Sequence, residues 1–294
     1  MTRLGILGLS MAAGVVALMS APAGPPATVN DGHGDFVYVP AGAFKMGDNF
    51  GDGESRERPV HTVELDAFYI AKHEMTNGEW RKFRDDPGYD DPKFWPNGRP
   101  VPKDQIPYWR DPRNHGGGTP DSDPYPVLGV NWDAATAYCN WLSAKTGKKY
   151  RLPTEAEWEK AARGTDQRRF PWGNTIDRSY ANYTGAQPFD TGRIVGFYDG
   201  SKRGDFQTKS NASPYGAFDM AGNVMEWVQD WYSRDYYASS PKKNPKGPAE
   251  GGYRVLRGGT FFVDANDLRT YARSAAWPSF QAHRMVGFRA AREP

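Results

Sequence analysis

Cys139 is the one cysteine in a chain of 294 residues, which excludes any chemistry that needs a cysteine pair within the chain. It lies in AATAYCNWLSAKTG, a pattern that predicts a helix, and it reads as a small buried apolar residue. Five histidines are present: His33, His61, His73, His115 and His283. None is spaced as H-x-H or H-x-x-x-H, so no helix face offers two imidazoles to one ion. A transition-metal centre would have to be assembled from distant residues. His283, in the loop before the closing strand, is the first choice for a pocket histidine. Asp264, Asp267 and Arg269, in VDANDLR, could bind a polar ligand or move a proton on it. The alternative for that segment is a solvated loop with an ion pair. No Ser-His-Asp or Cys-His order stands out, and no Walker spacing supports a phosphate loop.

These residues sit in a chain built for export. Arg3 is followed by the apolar run Leu4 to Met19 and then by Ala21-Pro22-Ala23, a small-x-small cleavage pattern. Residues 1–23 therefore read as a signal peptide, and the apolar run is shorter than the roughly 20 residues a membrane span needs. The expected location is the periplasm or the exterior, with no membrane contact after cleavage. Residues 24–34 read as a flexible lead-in and 35–294 as one domain. Lys+Arg 37 against Asp+Glu 35 leaves no basic field to attract nucleic acid. Gly 33 and Pro 24 predict many turns but stay below the roughly 25–30% that marks disorder.

The elements that must position the candidates are short. Phe36 to Gly47 predicts two strands around a turn, and Val60 to Ala71 alternates like a strand. Thr76 with Glu79 makes a capping box ahead of a helix to about Phe83. Residues 84–125 are rich in Pro, Asp, Gly and Asn and read as an ordered surface excursion that helps wall a site. Asn131 caps a helix from about Trp132 to Lys145, stopped at Gly147. Thr154 with Glu157 caps a second principal helix that ends at Gly164. Only short strands and turns are expected beyond it.

Six segments then carry a family resemblance: VPAGAFKMG (39–47), RLPTEAEWEKAARG (151–164), FPWGN (170–174), YGAFDMAGNVMEW (215–227), RVLRGGTFF (254–262) and VGFRAA (286–291). Their order and spacing resemble the formylglycine-generating-enzyme, or sulfatase-modifying-factor, domain over roughly residues 35–292. The resemblance implies an α+β fold, a variant of the C-type-lectin-like fold with two main helices and small antiparallel sheets. It also implies calcium as a structural cofactor. Asp219, Gly222, Val224 and Glu226 match the family's second calcium site. A tight turn at Gly222-Asn223 could aim carbonyls at an ion between the two carboxylates. Asn182, Tyr183 and Asp205 stand for the first site, although Gly204-Asp205 here reverses the family's usual Asp-Gly order.

The chain departs from the family at its chemical centre. The family's enzymes carry two cysteines five residues apart after Gly-Gly-Ser, and those positions, counted from Gly258-Gly259-Thr260, hold Val263 and Leu268. Met225 replaces a usual Trp, and Val286 a usual Asn. Thr260, Asp264, Asp267, Arg269 and His283 are the pocket candidates that remain. The departure resembles a cysteine-less branch whose periplasmic pyoverdine-maturation member helps oxidise the chromophore of a siderophore precursor. The first expectation is thus an exported oxidase or tailoring enzyme acting on a small-molecule or peptide-like substrate. The alternative is a non-catalytic ligand- or protein-binding module. Formylglycine generation is not expected.

Overall fold

Caps written into the sequence set the three helices of the computed structural model, which describes residues 27–105, 122–184, 192–279 and 285–294. The strands are β1 (Thr28–Asn30), β2 (Asp35–Val39), β3 (Gly42–Met46), β4 (His61–Leu65), β5 (Phe68–Ala71) and β6 (Tyr150–Arg151), then β7 (Lys202–Arg203), β8 (Phe206–Gln207), β9 (Met225–Trp231), β10 (Arg254–Arg257), β11 (Ser274–Ala276), β12 (Val286–Phe288) and β13 (Ala291–Arg292). Helix α1 spans Asn77–Arg84, α2 Trp132–Thr146 and α3 Glu155–Arg163. Both expected capping boxes form, at Thr76/Glu79 and Thr154/Glu157. Asn131 caps α2 through its side chain, and Gly147 ends it at φ 72°, a conformation glycine adopts without strain.

The sheets are small, as the fold class requires. One has the order β1-β2-β5-β13-β6, a second β11-β10-β9-β12, and two are pairs, β3-β4 and β7-β8. The two strands expected around Pro40-Ala41 do form, but they serve different sheets: β2 pairs with β5 and β3 with β4. The lead-in expected to be flexible includes β1, whose Thr28 lies opposite Val37. The residues expected as a signal peptide lie outside the described part of the chain. Among the described residues no helix is long and apolar enough to cross a membrane.

Aromatic rings fill the main core. Trp80, Phe83, Tyr138, Trp141 and Phe288 pack together, and Tyr89, Phe94 and Trp95 join them from the segment expected to be a surface excursion. Two 3-10 turns, Pro87–Asp90 and Pro92–Phe94, turn those rings inward. The Trp95 indole N–H then donates to the Tyr89 carbonyl at 2.7 Å. A surface segment would leave these rings in water, and each can bury roughly 150–250 Å². Residues 106–121 lie outside the described part. Cys139 is fully buried in α2, and burial pushes its thiol far up, so it is inert.

Helix α3 packs against β3, β4, β9 and β10 and is buried along its whole length, charged residues included. Glu155, Glu159 and Arg163, four apart, share one face. Glu155 accepts from Arg273 Nε at 2.7 Å and Nη2 at 2.9 Å. Glu159 accepts from Arg257 Nη2 at 2.6 Å, Arg163 Nη1 at 2.8 Å and the Gly47 N–H at 2.8 Å. Breaking a buried pair leaves the partner uncompensated, at about 3–5 kcal/mol. Glu155→Gln is therefore expected to cost about 3 kcal/mol or more in urea unfolding. Lys149→Ala, at the exposed Lys149–Glu293 pair, should cost less than about 1 kcal/mol. Equal costs would show that the buried pairs do not hold the fold.

Asp230 adds a pH dependence. It is fully buried and accepts the Glu155 N–H at 2.8 Å. Burial, and after it the charge of Glu155, pushes its carboxyl well above the ordinary range. A raised folded pKa gives stability that is fully present below the unfolded pKa and is lost as pH rises through the folded one. The melting temperature of the wild type should therefore decline as pH rises through that raised value. Asp230→Asn, which keeps the acceptor, should remove that part of the decline; an unchanged profile would refute the assignment.

Candidate functional site

A pocket of about 210 Å³ opens where β10 ends in Gly258-Gly259. Met225 and Leu256 line it with apolar surface, Val263 and Asp267 come from the following loop, and Arg56 reaches it from the loop before β4. Gly258 and Gly259 have φ of 91° and 69°. A Cβ on Gly259 would stand 2.8 Å from the Asp267 carbonyl and 2.9 Å from a Leu268 methyl. Glycine thus lets the loop 263–268 lie directly on the turn. Arg56 is held through its backbone, because Arg273 Nη1 donates to its carbonyl at 2.7 Å. Arg273 and Arg257 also line the pocket, but their guanidinium groups are taken up by Glu155 and Glu159.

Of the five pocket candidates, the structure places Asp267 in the pocket wall. Asp267 is exposed at the rim; partial desolvation of its carboxyl, and next to it the charge of Asp264, raises it above its ordinary value, while Arg269 and Arg56 oppose the shift. Asp264 is exposed and caps the 3-10 turn Ala265–Leu268, accepting from the Asn266 N–H at 2.8 Å. Arg269 turns away to Asp52, 2.9 Å off, and to the Asn266 carbonyl at 2.7 Å. Thr260 is buried and donates to the Asn223 carbonyl at 3.3 Å. His283 and His115 lie outside the described residues. Arg56 was not foreseen; its loop is far from the pocket segments in sequence and carries no motif that marks it.

His33 and His73 meet at a separate cavity of about 40 Å³, beside Glu74 and Glu79. His61 packs against Tyr237 with ring centroids 4.7 Å apart and planes tilted by 56°. Among the described residues no group of three His, Cys, Asp or Glu side chains could hold a metal ion. The two residues at the thiol positions pack into one small apolar cluster with Phe170, Ala181 and Ala221. Leu268 is fully buried there and Val263 partly.

Residues 23–294 match the sulfatase-modifying factor enzyme 1-like domain. The chain belongs to that family. It is 36% identical over 295 residues to the formylglycine-generating enzyme of Thermomonospora curvata, covering 88% of this chain and 93% of that one. It is 36% identical over 263 residues to the serine/threonine-protein kinase pkn1 of Chlamydia caviae, but spans 38% of that protein's length. It is 34% identical over 279 residues to the hercynine oxygenase of Mycolicibacterium smegmatis, spanning 59% of it. The structure of PvdO from Pseudomonas aeruginosa superposes with a TM-score of 0.70 at 25% identity, covering 92% of this chain and all of that one. The pocket lies beside the loop of Val263 and Leu268, the positions at which the resemblance implies a cysteine pair, whereas Cys139 lies in α2.

The family's calcium residues are only partly assembled. The expected turn is present, with Gly222 at φ 84° and Asn223 at 61°. It brings the Asn223 N–H to the Asn182 carbonyl at 3.3 Å. Glu226, however, accepts from Arg289 Nε at 2.6 Å, Arg289 Nη2 at 2.7 Å and the Trp158 indole at 2.8 Å. Asp219 accepts from the Gly196 N–H at 2.6 Å and from Asn211 at 3.0 Å. Asp205 is exposed in the turn between β7 and β8, whereas Asn182 is buried and Tyr183 partly so. The residues present do not fit a calcium ion held between the Asp219 and Glu226 carboxylates, because protein N–H groups already satisfy both. Glu74, unforeseen, lies buried beside them and accepts from Asn223 Nδ2 at 2.6 Å and the Val224 N–H at 3.1 Å. Burial, then the charges of Asp219 and Glu226, pushes its carboxyl well up. Glu226→Gln should cost about 3 kcal/mol through the stranded Arg289. That loss, read by thermal unfolding, should be the same in excess calcium and in EDTA; a loss confined to the calcium sample would restore the ion to Glu226.

Proposed function

We propose that this chain is an exported, cysteine-independent tailoring enzyme that oxidises a small-molecule or peptide-like substrate in the Gly258-Gly259 pocket. One observation carries the reading: a pocket opens beside Val263 and Leu268, which pack as apolar side chains where the resemblance implies the thiols. Asp267 would accept a proton from the substrate, and its raised pKa suits a base working nearer neutral pH. Arg56, whose Nη2 reaches the exposed Glu54 at 3.1 Å, would exchange that partner for an anionic part of the substrate at the rim. The substrate gives up two electrons and two protons, and dioxygen takes them to become hydrogen peroxide. The likeness to PvdO and to a hercynine oxygenase supports oxidase-type chemistry. A siderophore precursor of the pyoverdine kind is the substrate class we propose, with export resting on residues 1–23.

A binding module is the second reading, favoured by the engagement of the pocket's Arg257 and Arg273 with Glu159 and Glu155, which leaves few groups free for chemistry. Incubation of the purified chain with the unoxidised siderophore precursor, under air, separates the two. The oxidase reading expects one peroxide per chromophore formed and a rate at least about tenfold lower in Asp267→Asn, as general-base removal costs 10²–10⁴ in many enzymes. Binding without turnover, with no bound iron or copper on metal analysis, would establish the module instead. A Cys-x-Pro-x-Arg peptide with copper should yield no aldehyde in either case.

A further inference from the structure

Tyr253 and Trp277 are 41% and 56% exposed, and their rings pack against each other with centroids 5.2 Å apart and planes at 31°. Among the described residues they are the one ring pair in which both partners are exposed. Phe50 and Phe262, also exposed, rest on Tyr271 and Phe261, which are buried. The two rings continue the β10–β11 ladder, next to the partners Arg254 and Ala276. Their backbones are pinned: the Tyr232 N–H donates to the Tyr253 carbonyl at 2.7 Å, and the Trp132 N–H to the Pro278 carbonyl at 3.1 Å. Beneath them the Arg254 guanidinium is sandwiched between Trp132 at 3.7 Å and Trp231 at 3.4 Å. Space is open beside Gly252, where an added Cβ would meet nothing within 4 Å.

We infer that Tyr253 and Trp277 form a rigid stacking subsite for a planar aromatic ligand. Two adjacent rings held in water retain an apolar face that a flat molecule would cover, and offset stacking of ring on ring is favourable beyond the area buried. A sugar would need polar side chains around the ring plane for its hydroxyls. Of the rings' chain neighbours, Gly252, Ala276 and Pro278 bring none, and Arg254 is locked in its sandwich with Nη1 donating to the Gln229 carbonyl at 2.7 Å. The electron-rich ring faces favour an electron-poor heteroaromatic partner. The subsite stands apart from any oxidation in the pocket. The pocket-lining pair Leu256 and Ser274 lies three residues along the same two strands, roughly 10 Å away at about 3.3 Å per residue.

Calorimetric titration of the full chain with caffeine, a neutral planar bicycle, tests the subsite. Trp277→Ala should weaken binding about tenfold, as loss of one stacked ring does elsewhere. Tyr253→Phe should leave it unchanged, because stacking does not use the hydroxyl. Both side chains are exposed, so both variants should melt with the wild type. Equal caffeine affinity in wild type and Trp277→Ala would overturn the inference. Tighter binding of methyl glucoside than of caffeine would overturn the ligand class. A wild-type dimer that Trp277→Ala dissociates, seen by sedimentation, would make the face a contact between copies of the chain and would also overturn it.

Discussion

The buried charged face of α3 is the constraint on which the other parts depend. Sheets of two to five short strands cannot by themselves fix long connections. Glu155, Glu159 and Arg163 do it by reaching three distant segments: Gly47 at the start of the 48–58 loop, Arg257 at the end of β10, and Arg273 before β11. Such pairs stabilise little in net terms, because desolvation offsets most of the attraction. What they impose is a single arrangement, since any other leaves an unpaired charge inside. On its next turn-face the same helix offers the Trp158 indole to Glu226, which links it to Arg289 and thereby to the carbonyls of Ala71 and Phe218. The pocket inherits its shape from this: Arg273 holds the Arg56 carbonyl, and Arg257 precedes the Gly258-Gly259 turn.

Local features could be read from the chain because their physics is local. A Thr and a Glu three apart cap a helix whatever surrounds them, and Gly222-Asn223 turns because both residues accept positive φ. The same holds for the helix stop at Gly147. Pairing between distant strands left no such mark, so the separation of β2 from β3 into different sheets could not be seen. Nor could the burial of α3: EAEWEKAAR has the composition of a solvent-facing helix, and the arginines that neutralise it lie about 100 residues later. The excursion misled for the opposite reason. Its Pro and Asp signalled turns correctly, but the turns point Tyr89, Phe94 and Trp95 inward.

The site was legible in outline and not in detail. Sequence neighbourhood grouped Asp264, Asp267 and Arg269, yet they do different work: one caps a turn, one faces the pocket, one ties down Asp52. A side chain's direction in a 3-10 turn follows from packing against Leu268 and Gly259, which no spacing rule contains. Arg56 entered from some 200 positions away through a backbone contact, so no local pattern could mark it.

The exchange of thiols for Val263 and Leu268 has a consequence for any chemistry proposed here. Leu268 is not exposed in the pocket; it is the anchor of the loop, packed with Phe170 and Ala221 and against the Gly259 turn. A leucine that holds the loop offers no ligand or redox group, so any reactivity would come from the groups the loop brings to the pocket. Asp267 is the ionisable one among them, and its neighbours oppose each other: burial and Asp264 keep its proton on, Arg269 and Arg56 draw it off. The packed loop thus sets Asp267 at the exposed rim of a pocket whose Arg257 and Arg273 are already engaged by Glu159 and Glu155.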